Sequence, residues 1–413
     1  MRRATAEHSP VTAAGGQTST TGASICDTGV LLSMRAMSRI LDVDARARRA
    51  IVEPGVLLAD LNRAVAPDGL HFAPDPTSEE DVTVGGAIAC NASGARTLLY
   101  GTTRSHVRSV RVVLASGEAQ DVGRSGLDKN TAGYAFAHDP VDWFIGSEGT
   151  LGIIVQAELS LVPLPERVIG LGIPCADETS ALRMVVAIRE SPVLRPRCIE
   201  YFDDLALTIA REHSGRNWAP GAPALVYVED MGTHDREPPL EEWLALAEEH
   251  GAVGNLLVFD GEAALRDARR MRHAVPATMN ERGTARRAHG GRKVSTDWAV
   301  PYPRLGEAIG EARRLVTRAG LSQPVIYGHA GNGHPHENFI AHDSDELWKI
   351  ESVVEATLQY VLALGGTVSA EHGIGKLKRR WLPLQATPMQ IGAMRSLKRE
   401  LDPMGILAPG NIL

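Results

Sequence analysis

At 413 residues the chain is too long for one ordinary core and suits two or three domains of roughly 100–200 residues each. With 44% hydrophobic and 23% charged residues it has the composition of a soluble globular protein. A net charge of −7 with basic and acidic residues interspersed argues against a nucleic-acid partner, and no apolar run reaches the roughly 18–20 residues that span a bilayer. The N-terminus "MRRATAEHSP" has arginines but no apolar stretch behind them, so no secretory signal is read there. Cys26, Cys90, Cys175 and Cys198 show neither CxxC pairing nor framework spacing, and are expected as reduced thiols in the cytoplasm.

In chain order, the first 165 residues are dense in Gly, Ser, Thr and Val. "RAIVEPGVLLADLNRAV" reads as strand, Pro-Gly turn and short helix, "SVRVVLASGEAQDV" as a strand entering a hairpin, and "IIVQAELSLVPLPE" as a strand ending at a boundary. From about Arg167 to Pro324, strands such as "ALVYVED" mix with amphipathic helices such as "PLEEWLALAEEHG", which suits an α+β substrate domain. Near the end, Leu347, Ile350, Val353, Val354, Leu358 and Val361 fall at helical spacing, stopped by Gly365. Thr387 is the expected N-cap of a last helix, with Pro388 at its first position.

Glycine-bearing stretches in the first part suggest nucleotide chemistry. "AAGGQTSTTGAS" offers adjacent glycines followed by hydroxyls, a sequence that can form a phosphate nest but is neither a P-loop nor GxGxxG; an ordinary loop is the bland alternative. "PDPTSEEDVTVGGAIACNASGARTLLYG" is bare enough for a flat ring to approach its backbone. "GSEGTLG" follows immediately before a strand. Taken singly, each would be a tight turn.

In the last third, "YGHAGNGHPHEN" sets His329, His334 and His336 on a backbone whose glycines and proline disfavour a helix, which excludes an HExxH pair. In an extended backbone His334 and His336 share a face, with His329 folding back across the glycines. Thirty-five residues after His336 comes Glu371-His372. Two imidazoles and one carboxylate form a standard divalent-metal set; surface-loop histidines are the alternative.

Together and in this order these segments resemble the vanillyl-alcohol-oxidase, or para-cresol methylhydroxylase-like (PCMH-type), FAD flavoproteins. More narrowly they resemble the D-2-hydroxy-acid dehydrogenase branch: glycolate oxidase D-subunit, D-lactate dehydrogenase and D-2-hydroxyglutarate dehydrogenase. The resemblance covers nearly the whole chain, and "GSEGTLGI" with "TVGGAIACNASGAR" carries most of it. It implies an α+β fold. Residues 1–165 would form the FAD-binding domain, residues 166–345 a substrate (cap) domain with an antiparallel sheet and helices, and residues from about 346 to 413 would return to the FAD domain. The active site would lie between the two domains.

By the same resemblance Gly15, Gly16, Gln17, Thr18 and Ser19, with Gly22, Ala23 and Ser24, hold the FAD pyrophosphate. Pro74, Thr77, Ser78, Gly85, Gly86, Asn91, Ser93 and Gly94 line the flavin, and Glu148, Gly149, Gly152 and Ile154 complete the dinucleotide site. His329, His336 and Glu371 bind a metal, expected as Zn²⁺, and His372 is the catalytic base. Arg272 grips the substrate carboxylate, a task that favours a bidentate guanidinium, and Asn338 helps hold the substrate. The implied activity is FAD-dependent oxidation of a D-2-hydroxy acid to the 2-oxo acid. Electrons would go to a separate acceptor: a quinone, a cytochrome, an electron-transfer flavoprotein or an iron–sulfur protein. The expected location is the cytoplasm or, peripherally, the inner face of the membrane, and the expected assembly a homodimer.

The sequence also departs from the family pattern. The usual Pro-Arg-Gly-Gly-Gly-Thr is here Ala13-Ala14-Gly15-Gly16-Gln17-Thr18, without the arginine and without a histidine to attach flavin, so FAD is expected to be non-covalent. The usual His-x-Gly-Asp-Gly-Asn-x-His has Asn332 for the Asp and His334 for the second Asn. Ala370 replaces the Gly before Glu371, and Ala408 the closing Asn. A βαβ unit usually precedes the pyrophosphate loop, which here begins at residue 11. The FAD domain is therefore expected to be N-terminally shortened. The rival readings are a truncated or non-catalytic fragment with weak FAD binding, and a zinc hydrolase.

Overall fold

A computed structural model describes residues 1–214, 218–233 and 237–413. The chain divides into two compact units. The first comprises residues 1–94, 100–164 and 371–413; the second comprises residues 95–99 and 165–370.

In the first unit a five-stranded antiparallel sheet runs in the order Ile40–Asp44, Arg49–Val52, Ile153–Ser160, Val107–Val113, Ala119–Gly123. The strand, Pro-Gly turn and helix expected from residue 49 onward form as Arg49–Val52 and Leu58–Val65, and the expected hairpin joins Val107–Val113 to Ala119–Gly123. Leu58, Leu61 and Val65 of that helix, with Val84 and Ile88 of the helix Val84–Cys90, pack on Val52, Val112, Ala157 and Leu159 of the sheet. Thr83 caps Val84–Cys90 by accepting from the Gly86 amide, and Asn91 ends it in the left-handed region. A parallel pair, Val11–Ala14 and Val30–Ser33, packs through Val11 on Ile406 and Leu407 from the end of the chain. The last helix, Pro388–Leu401, starts as expected, with a full capping box between Thr387 and Gln390.

The second unit is built on a seven-stranded antiparallel sheet. Its order is Leu257–Asp260, Arg167–Cys175, Ala224–Gly232, Cys198–Asp203, Val325–His329, His334–Asp343, Gly290–Ser295. The helices Asp204–Ser214 and Glu262–Thr284 pack together against it around Phe202, Leu225, Met271 and Tyr327. Ser344–Ala363 buries Ile350, Val353, Val354, Leu358 and Val361 as its periodicity predicts, and Gly365 follows in the left-handed region. That helix packs on the helix Leu305–Arg318 and the strands Gly290–Ser295 and His334–Asp343, so the return to the first unit starts at Glu371 and not near residue 346. Its apolar stripe matches the nearest sheet, a long-range fact that periodicity alone does not carry.

All four cysteines are unpaired, and among the described residues no helix is long and apolar enough to cross a membrane.

Candidate functional site

The histidine stretch forms the hairpin between Val325–His329 and His334–Asp343, with a short 3-10 turn at Ala330–Asn332. Gly333 closes the turn at φ +67°, and a Cβ there would stand 1.9 Å from the carbonyl oxygen of Val300, so no other residue fits. The register sets His329 opposite His334 and Tyr327 opposite His336. His334 and His336, two residues apart on one strand, share a face. The three imidazoles are all at least nine-tenths buried, with ring centroids 4.6 to 5.5 Å apart.

Glu200, on the neighbouring strand Cys198–Asp203, organises this cluster. His329 Nδ1–H donates to Glu200 Oε1 at 2.6 Å, and Arg272 Nε donates to Oε2 at 3.2 Å. Burial pushes the Glu200 carboxyl up, but His329 and Arg272 outweigh it and hold the group below its usual range. With Nδ1 committed as donor, Nε2 of His329 carries the lone pair, and Arg272 Nη2 lies 3.4 Å from it. The Arg272 guanidinium also stands over the Tyr327 ring. Sequence reading missed Glu200: it lies 129 residues before His329 with no local motif, and only strand adjacency could reveal it.

Asn338 continues the same face of the strand after His334 and His336. It is 1% exposed, and neither amide atom has a partner among the described residues. Burying such a group unpaired costs about 1–3 kcal/mol per atom, which marks the position as one built to meet a polar ligand. The intervening Glu337 faces away, taking the indole N–H of Trp298 at 3.0 Å. On the hairpin's other flank, Asp297 Oδ1 lies 3.0 Å from His334 Nε2, while its Oδ2 accepts from Ser369 Oγ at 2.8 Å.

The first unit gathers most of the other residues read as functional. In the loop from Gly15 to Ser24, the amides of Gly16, Gln17, Thr18 and Ser19 donate to no partner among the described residues, and Gln17 lies at φ +57°. Such a run of donors accommodates a phosphate anion. Gly15 and Gly16 are also tight: a Cβ would strike Thr83 Oγ1 and the Asp81 carbonyl. The loop is thus pressed on the segment before Val84–Cys90. The amides of Lys376 and Leu377 donate to the Thr21 carbonyl oxygen, which brings a basic stretch beside it.

Glu148 is 6% exposed, and its carboxylate accepts from the amides of Ile374 and Gly375 at 2.7 to 3.0 Å. Burial raises its pKa, opposed by those two amides and by Lys378. Glu148 therefore anchors the segment that carries Glu371 and His372. Thr21 Oγ1 donates to the His372 carbonyl oxygen at 3.3 Å, and His372 Nε2 lies 4.0 Å from Glu371 Oε2. Gly373 at φ +74° sits where a Cβ would meet Glu148 Oε1 at 2.4 Å. Gly373→Ala is expected to destabilise the first unit by about 1–3 kcal/mol. A lower thermal midpoint in the alanine variant, against an unchanged or raised one in Gly392→Ala, an exposed helical glycine with open space at its Cβ, checks this.

Asn411 Nδ2 donates to the carbonyls of Ala23 and Glu148, tying the segment around residue 411 to the loop from Gly15 to Ser24. Ser93 Oγ approaches Glu371 Oε1 at 3.5 Å. Ile154 puts its side chain into the apolar core, and Gly152 lies against the Phe144 ring. Gly85 and Gly94 are pressed on the backbone of Pro54 and Asp75. Pro74, Thr77 and Ser78 lie in the loop that closes on Val82, with Ser78 O accepting from the Asp81 and Val82 amides. Gly86 donates its amide to the Thr83 cap of the helix Val84–Cys90 and Asn91 ends that helix, while a Cβ at Gly149, φ +74°, would stand 3.9 Å from Ala408 Cβ.

Residues 164–412 match the FAD linked oxidases, C-terminal domain, family and residues 1–123 match the FAD binding domain family. The chain belongs to the FAD-linked oxidases. The oxidase is similar to glycolate oxidase subunit GlcD of Bacillus subtilis, 31% identical over 93% of this chain and 79% of that protein. It is similar also to a D-lactate dehydrogenase of Archaeoglobus fulgidus, 32% identical over 98% of this chain and 86% of the relative. Among solved structures, an alkyldihydroxyacetonephosphate synthase shares the fold with a TM-score of 0.72, at 20% identity, over 99% of this chain and 74% of that one. The oxidase thus lies in the D-2-hydroxy-acid dehydrogenase branch of the PCMH-type flavoproteins, as an FAD-linked oxidoreductase with an α+β fold. The unpartnered amides of Gly16 to Ser19 fit the pyrophosphate of FAD, and the buried donor nitrogens of the hairpin fit a divalent metal.

Proposed function

We propose that this FAD-linked oxidase converts a D-2-hydroxy acid of the lactate, glycolate or 2-hydroxyglutarate type to its 2-oxo acid. The observation that carries the reading is the buried, unpartnered amide of Asn338 on the same strand face as two imidazoles, in a sheet whose Glu200 also holds Arg272. Names of relatives that act on lactate and glycolate support it.

Arg272 receives the substrate carboxylate, with Glu200 fixing the orientation of its fork. Asn338 offers both a donor and an acceptor to the bound acid. His329, His336 and Glu371 would hold the divalent metal, read as Zn²⁺, which as a Lewis acid lowers the pKa of the 2-hydroxyl. His372 takes the hydroxyl proton on its imidazole, a step worth about 10²–10⁴-fold for general bases. Non-covalently bound FAD supplies the two-electron acceptor for the hydrogen leaving C2. A separate redox protein or quinone then takes the electrons, and the cytoplasm is the expected compartment. Residues 1–165 with the closing segment form the FAD domain in this reading, and the residues after 166 the substrate domain.

The purified protein is expected to show a flavin absorption band, bleached anaerobically by one of D-lactate, glycolate or D-2-hydroxyglutarate. A band that none of the three bleaches would overturn the substrate reading. No band even after added FAD would overturn the flavin reading itself.

A further inference from the structure

We propose that the metal of this chain is held by three imidazoles, His329, His334 and His336, rather than by two imidazoles and Glu371. This rests on the metal reading above and changes its ligand set. His334 is the residue that this set adds to the earlier reading.

Three observations converge on it. The ligand nitrogens of the three rings lie within 4.8 Å of one another, a span that modest side-chain rotation closes onto one ion. His334 is 4% exposed, yet its buried Nε2, 3.0 Å from Asp297 Oδ1, is out of line for a hydrogen bond. An imidazole nitrogen buried this way is costly unless a ligand engages the ring and reorients it toward its carboxylate. Two of the rings, finally, each have a carboxylate at one nitrogen: Glu200 at His329 and Asp297 at His334. A carboxylate behind a histidine is the usual support of a metal-binding imidazole, because it fixes the tautomer and raises basicity.

The chemistry of the set follows. Three neutral imidazoles leave the charge of a divalent ion to be balanced by Glu200 and Asp297 one shell out. Imidazole donors select zinc, cobalt, nickel or copper over magnesium, calcium or manganese, which prefer oxygen. A tetrahedral ion so held keeps one position open for an oxygen ligand. His329 Nε2 must exchange its contact with Arg272 for the ion, which turns the guanidinium toward an incoming anion. All three ligands come from eight consecutive residues of one hairpin, so the site is complete within the second unit.

The test is Co²⁺ and Zn²⁺ binding to the metal-stripped full chain, in wild type, His334→Asn, His336→Asn and Glu371→Gln. Co²⁺ d–d absorption, competition against a chelator and X-ray absorption counting of imidazoles serve as readouts. The expected result is three imidazoles on cobalt, at least tenfold weaker binding in both histidine variants, and a change below threefold in Glu371→Gln. His334→Asn binding as tightly as wild type, with two imidazoles counted, would overturn the three-histidine set and leave the His329–His336–Glu371 reading standing. Wild type taking up neither ion would overturn both. If circular dichroism shows that His334→Asn does not fold, the imidazole count on wild type alone decides.

Discussion

If His372 is the base of the proposed reaction, His372→Ala is expected to lower kcat by about 10²–10⁴-fold while the flavin band and the thermal midpoint stay near wild type. The separation of activity from folding is expected because the His372 ring is about one-third exposed, whereas its backbone is what the fold uses. Thr21 Oγ1 holds the His372 carbonyl, and Glu148 holds the amides of Ile374 and Gly375 just beyond it. Removing the ring leaves those backbone contacts intact, so the loop keeps its course while the proton acceptor goes. A base that acts on the bound acid should change kcat far more than KM, whereas a residue that only shapes the pocket would raise KM. Steady-state kinetics on whichever D-2-hydroxy acid bleaches the flavin reads the two apart. Full turnover in the alanine variant would remove His372 from the mechanism.

The largest stability effect is expected at Glu229. Its Oε2 accepts from Arg197 Nε at 2.6 Å and Arg96 Nε at 3.2 Å, and its Oε1 from the Tyr227 hydroxyl at 3.2 Å. Burial pushes this carboxyl up, but the two guanidinium groups prevail and bring it down to about 2. Glu229→Ala takes from buried Arg197, and from Arg96, the carboxylate that both donate to, which costs about 3–5 kcal/mol. Four of the six tryptophans lie in the second unit, so urea unfolding followed by their fluorescence reports on it directly. The pH dependence has a definite sign. Because the folded pKa lies below the unfolded value of 4.5, the contribution of Glu229 is complete above pH 4.5 and is lost as pH falls toward 2. Wild type should therefore lose stability through that window, and Glu229→Ala should lose less. An unchanged urea midpoint at pH 7 would show the cluster to be energetically neutral.

Arg96 also marks where sequence reading stopped. It closes the "NASGAR" stretch, which as a motif points to flavin, yet its side chain is spent on Glu229, and residues 95–99 belong to the second unit. Local signals carried far. The helix of residues 344–363 followed from spacing, the last helix from Thr387 and Pro388, and the histidine hairpin from glycines that forbid a helix. Partners from distant strands did not carry. Nothing near Arg272 or His329 in sequence announces Glu200, and nothing near Glu148 announces that its carboxylate belongs to the amides of Ile374 and Gly375. The bare glycines of residues 74–101 suggest room for a ring, but Gly85 and Gly94 are bare because one protein segment lies against another. A glycine reports close approach without naming what approaches.

The bond from Asn411 to the Ala23 and Glu148 carbonyls has a consequence for the order in which the protein takes shape during synthesis. The loop of residues 15–24 leaves the ribosome well before Asn411, which fastens it from 388 positions after Ala23. At about 5–20 residues per second, the interval between residues 164 and 411 lasts on the order of tens of seconds. The second unit is almost continuous in the chain and has its whole sheet available by residue 343, before the residues that complete the first unit have been made. The nascent nucleotide domain spends that interval as an open half, with Val11 lacking the Ile406 and Leu407 that later cover it. Closure of that loop is thereby deferred until residue 411 has been made, after the whole sheet of the second unit is available.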